Sequence, residues 1–117
     1  MRWTALPVLL ALASCAAPGP GGRWVGPVTP EAPSSVCQPS RGVLTVRDGK
    51  ALFAPNEAIV VLDGTLAPDG TLRAERTTQG ADKKPFRQVL EARLDGDRVT
   101  GTLSTPRCRH RVELTRS

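Results

Sequence analysis

Few side chains in this sequence are of the types that do chemistry. His110 is the single histidine, and no serine sits in a Gly-x-Ser-x-Gly turn that would present it as a nucleophile. His110 alternates with Cys108 and Val112, a spacing that turns it toward an interior and not toward a substrate. Asp95-Gly96-Asp97 places two carboxylates close together, but no further ligand follows at calcium-loop spacing, so the segment reads as a hairpin turn. No glycine-rich phosphate loop occurs, and the aromatic platforms that stack single-stranded nucleic acid are missing. The expectation is a non-enzymatic protein with no catalytic residues, metal or cofactor and no nucleic-acid partner. Two chemistries remain: the sulfur of Cys15, Cys37 and Cys108, and the charge of Arg107, Arg109 and Arg111.

Cys15 ends a distinctive amino-terminal segment. Arg2 provides positive charge, Ala5 to Ala13 form an apolar run, and Leu12-Ala13-Ser14-Cys15 closes it. The run is far shorter than the roughly 20 apolar residues a membrane-spanning helix needs. Its length and flanks fit the apolar region of a cleaved export signal. Residues 12–15 resemble the lipobox of bacterial lipoproteins. The resemblance implies removal of residues 1–14 and a thioether from Cys15 to diacylglycerol. Several acyl chains, at about 0.8 kcal/mol per buried methylene, would hold the chain at a membrane almost permanently. Position 16 is Ala and not Asp, which in that family implies the outer membrane where the host has two. The expected location is the cell envelope.

The 16 basic and 11 acidic residues of the 117-residue chain become 15 and 11 once Arg2 leaves with the signal, a net charge of +4. The remaining 103 residues suffice for one domain. Such a chain buries little core and benefits from a staple. Cys37 and Cys108 supply one: an even pair in an exported domain reads as a disulfide, because the compartment is oxidising. One histidine is too few to complete a zinc site with them.

Six of the eleven prolines fall in residues 16–40, and the stretch Ala16 to Gly22 has no face to bury. Residues 15–40 are therefore expected to be a lipid-anchored tether, with Arg23-Trp24-Val25-Gly26 as a candidate short strand over 23–27. Residues 41–117 have a different grammar. Apolar and polar residues alternate in short segments cut by Asp-Gly at 48–49, 63–64, 69–70 and 95–96. Three of these pairs are hairpin signals, since Gly supplies the positive φ of primed or bulged turns. Asp63-Gly64 lies within a run and reads as a bulge or a point of close packing. Strands are expected over 42–48, 50–54, 58–67, 70–77, 86–95, 97–104 and 107–115. The fold class is all-β, an antiparallel meander of seven to eight strands that curls into a closed or partly open small barrel with one disulfide.

In the last strand, Arg107, Arg109 and Arg111 share the outer face, with Arg98 or Arg93 beside them if strands pair in sequence order. Such a stripe suits an anionic envelope component or an acidic protein partner. The alternative is a solvated face balanced by Glu75, Glu91 and Glu113. The ending Val112-Glu113-Leu114-Thr115-Arg116 and the early Trp24 also resemble the small periplasmic inhibitors of bacterial metalloproteases, eight-stranded barrels with one disulfide and a flexible amino-terminal arm. The functions this leaves are a membrane-anchored binding or structural module, an inhibitor of an exported protease, and a carrier of a small apolar ligand.

Overall fold

The computed structural model describes residues 21–56, 60–80 and 82–117; the signal segment and Cys15 lie outside the described residues. Eight strands follow one another: β1 (Gly22–Pro30), β2 (Ser40–Arg47), β3 (Lys50–Ala54), β4 (Leu62–Leu66), β5 (Thr71–Gln79), β6 (Pro85–Asp95), β7 (Arg98–Ser104) and β8 (Arg109–Arg116). Each pairs antiparallel with the next, and β8 returns to β1, so the sheet closes into a barrel. Closure removes every sheet edge along the shared length of the strands.

Period-2 alternation decides which side chains enter. Trp24 and Val28 of β1, Leu44 and Val46 of β2, Ala51 and Phe53 of β3, Leu62 and Leu66 of β4 all point inward and are buried. Leu72, Ala74, Leu90, Val99, Leu103, Val112 and Leu114 complete the filling from the other four strands. The intervening residues face water. Glycine admits close approach between neighbouring strands. A Cβ on Gly64 would collide with the Arg73 carbonyl oxygen of β5, and one on Gly26 with the Glu113 carbonyl oxygen of β8. Asp63-Gly64 is thus a packing point inside a strand.

The turns follow from local chemistry. Asp48 and Gly49 both have positive φ, 53° and 78°, between the closing pair Arg47 and Lys50, as a type I′ hairpin requires. Gly96 holds φ 67° between Asp95 and Arg98. In Ala67-Pro68-Asp69-Gly70 the Gly70 amide donates to the Ala67 carbonyl at 3.0 Å, and Gly70 takes φ 94°. Asp69 Oδ1 accepts the Thr71 amide at 2.9 Å.

These three turns, the start of β1 and the end of β8 lie at one end of the barrel, the lower rim. The upper rim carries the described residues of the connections between β1 and β2, β3 and β4, β5 and β6, and β7 and β8. The Cys37–Cys108 disulfide joins two of them, with Cα atoms 5.6 Å apart and 71 positions between the cysteines.

Several segments differ from the sequence expectation. Residues 22–30, placed in the tether with a candidate strand over 23–27, form all of β1 and are hydrogen-bonded on both sides. Trp24, Gly26, Val28 and Pro30 alternate inward, and Pro27 stands outward, where a side chain is no burden. β4 spans Leu62–Leu66 within the expected 58–67; Val60 precedes it yet still packs against the core. The β5–β6 ladder runs to Gln79↔Pro85, beyond the expected end at 77. It outlasts the ladders on either side, which stop at Asp63↔Glu75 and Val89↔Ser104. The hairpin therefore stands proud of the upper rim by roughly 13 Å, at about 3.3 Å per residue.

Candidate functional site

The expected arginine stripe is divided by the disulfide turn. Arg109 and Arg111 occupy outward positions of β8, whereas Arg107 lies in the turn before it. The Cys108 amide donates to Thr105 Oγ1 at 3.0 Å and the Thr105 amide to the Cys108 carbonyl at 2.9 Å. This local bonding replaces the ladder and delays the strand by two residues relative to the expected start at 107. Cys37 Sγ lies 3.5 Å from the Arg107 carbonyl oxygen, and Cys108 Sγ 3.5 Å from that of Val36. The disulfide thus sets exposed Arg107 and exposed Val36 side by side on the upper rim.

The neighbours of the three arginines decide how free their charge is. Arg111 is flanked by the neutral Thr102 of β7 and Thr29 of β1. Arg109 lies opposite Ser104, and its Nε is 3.8 Å from Glu31 Oε2, a loose pair with the Arg109 side chain 66% exposed. Among the described residues, Arg107 and Arg111 have no carboxylate within 4.0 Å. Strands do pair in sequence order, but neither Arg98 nor Arg93 adjoins the stripe. Arg98 faces Thr115 at the lower rim, and Arg93 faces Thr71 and Thr100 two strands away. Two of the three expected balancing carboxylates are engaged elsewhere. Glu91 takes Arg73 at 2.7 Å, and Glu75 takes Arg87 at 3.1 Å. Glu113, two residues from Arg111, faces Thr100.

His110 is half-buried under the 31–39 loop, its Nε2 donating to the Gln38 carbonyl at 3.1 Å while Nδ1 is buried without a partner among the described residues. It anchors that loop to the barrel.

The sequence reading did not find a second basic cluster. β1, β2 and β8 are neighbours only because the barrel closes, and closure brings Arg23, Arg41 and Arg116 around one surface depression of about 370 Å³ with Val25, Thr115 and Ser117. Arg116 is firmly placed. Its guanidinium lies 4.5 Å from the Trp24 ring centroid, its Nε donates to Asp97 Oδ1 at 3.2 Å and its Nη1 to the Gly21 carbonyl at 3.0 Å. Arg23 Nη1 donates to Ser117 Oγ at 3.2 Å. No signal in the sequence points to this grouping, since the three arginines are spread along the chain.

No family model, curated protein or solved structure matches the chain.

Proposed function

We propose that the protein is a lipid-anchored envelope module, held to a membrane through Cys15, that captures an anionic partner on Arg107, Arg109 and Arg111. The observation carrying this reading is the state of those charges: three exposed guanidiniums in a row from the disulfide turn down β8, two of them without a carboxylate within 4.0 Å among the described residues. Arginines so weakly compensated, held by a disulfide-tied turn and the strand it leads into, hold carboxylate or phosphate well, because the planar fork loses little freedom on binding. The interior supports a binding surface more than a carrier, since it is filled by Trp24, Phe53 and the aliphatic side chains of all eight strands.

Affinity capture of the mature protein from its own envelope, with intact mass on the same sample, tests the reading. A mass with an acylated Cys15 and one reproducible anionic partner, lost from a triple variant R107S/R109S/R111S that melts like the parent, is the expected result. Unchanged capture by that variant overturns the arginine face, and an unacylated chain overturns the anchor. If the captured partner is an exported protease that the protein blocks stoichiometrically, the inhibitor reading takes its place. Its arm must then lie in residues 16–21, because a deletion reaching Trp24 removes β1 from the barrel.

A further inference from the structure

We propose that the depression formed by Arg23, Arg41 and Arg116 binds the phosphate of a membrane-lipid headgroup, seating the barrel beside its own tether. This rests on the anchor at Cys15 for the identity of the nearby membrane. It rests for the site itself on geometry alone.

The cluster offers donors that are already oriented. Arg116 is held on three sides, by the Trp24 ring, Asp97 and the Gly21 carbonyl, which leaves Nη2 unengaged among the described residues. Arg23 is steadied by Ser117. Arg41 approaches from β2, where its backbone pairs with Pro27. Between them lie half-buried Val25 and the hydroxyl-bearing Thr115. Planar guanidiniums converging on one concavity suit a tetrahedral oxyanion with several acceptor oxygens better than a single carboxylate.

Two of the three charges are also unspent. Among the described residues, neither Arg23 nor Arg41 has a carboxylate within 4.0 Å, and the one bonded to Arg116, Asp97, is 79% exposed. Residues 1–20 contain no Asp or Glu, so the segment leading into β1 has no carboxylate to bring to the site.

Position selects the source of the phosphate. Arg23 opens β1 at the lower rim, and only a few residues separate it from Cys15. Fully extended, those residues reach at most about 29 Å, so an acylated Cys15 keeps the depression within reach of headgroups at a high effective concentration. A headgroup bound there fixes which side of the barrel meets the bilayer.

The test uses the full mature protein in detergent micelles, titrated with the soluble headgroup glycerophosphoglycerol and separately with inorganic phosphate, by calorimetry. Headgroup binding that weakens about 25-fold in R23Q/R41Q, at about fivefold for each arginine near a phosphate surface, and is unchanged in R107S/R109S/R111S, is the expected result. Both variants should keep the parent's melting temperature. Equal headgroup binding by R23Q/R41Q, or none by the parent, overturns the site. Binding of inorganic phosphate without the headgroup overturns the lipid assignment. The intact mass at Cys15 reports the anchor separately, so loss of one reading is distinguishable from loss of the other.

Discussion

The Arg116 guanidinium caps the indole of Trp24 from 4.5 Å, so the last strand covers the largest buried side chain of the first. Trp24 is fully buried, and its Nε1 finds no acceptor among the described residues, which makes its contribution one of packing and not of hydrogen bonding. Trp24→Ala is expected to cost about 3–5 kcal/mol as the core loses its largest member. Arg116→Gln is expected to cost about 0.5–1 kcal/mol, the value of an exposed cation over a ring. Urea melts of both single variants and the double variant check this. The double should fall short of the sum, since removing the ring already removes the stacking.

Replacing Cys37 and Cys108 by serine opens a loop whose ends are 71 positions apart. The chain-entropy model places the loss at about 4 kcal/mol, with native strain reducing it. Equilibrium urea unfolding with and without reductant measures it, and an unchanged midpoint in reductant would sink the staple. The 31–39 loop should then loosen ahead of the barrel, seen as faster amide exchange at Val36 and Gln38 than at Leu44.

Backbone substitutions should act in opposite directions at two sites. Gly64→Ala forces a methyl onto the Arg73 carbonyl and is expected to cost about 1–3 kcal/mol. Lys83 holds φ 65° in the turn closed by its own amide on the Gly80 carbonyl at 2.9 Å. A left-handed non-glycine residue carries a steric penalty of about 1 kcal/mol, so Lys83→Gly should stabilise by up to that amount. A calorimetric melting temperature that falls for Lys83→Gly would contradict the turn geometry.

Asp69 offers a pH signature. Its carboxylate accepts the Thr71 amide, and that bond holds its pKa below the ordinary carboxylate value, with Arg93 contributing less. The folded value is depressed, so the stabilisation is present above about pH 4, the value in an unfolded chain, and is lost as pH falls through the folded value. Asp69→Asn should therefore differ from the parent by a constant amount at neutral pH and converge on it in acid. Urea midpoints from pH 7 to pH 2 would show this, and a difference that grows in acid would refute it.

Much of the barrel was legible because its signals are local. The alternation in 42–48 and 97–104 and the Asp-Gly pairs at 48–49 and 95–96 each need only a few residues to be read. The disulfide was legible by counting. What escaped is what distance in sequence conceals. β1 looked like a tether because Pro27 and Pro30 disguise its alternation, and its strand character depends on β8, whose paired residues lie 80 to 92 positions away. The end of β5 escaped because Thr77-Thr78-Gln79 has no apolar residue to alternate with, although its partner β6 was legible from Phe86 on. Arg107 looked like a strand residue because the pattern could not reveal that Thr105 would cap the turn. The cluster of Arg23, Arg41 and Arg116 exists only once the sheet has closed.

The closure of β1 against β8 has a mechanical side. If the chain is anchored and bound as proposed, a pull on the anchor enters at Gly22 on the lower rim, while a partner on Arg107 and Arg109 resists at the upper rim, the opposite end of the same pair of strands. The load then runs along the strands and shears their cross-links together, instead of peeling them one after another. The disulfide ties the 31–39 loop that follows β1 to the turn that precedes β8, so the force also has a covalent path at the upper rim once the two strands begin to slide.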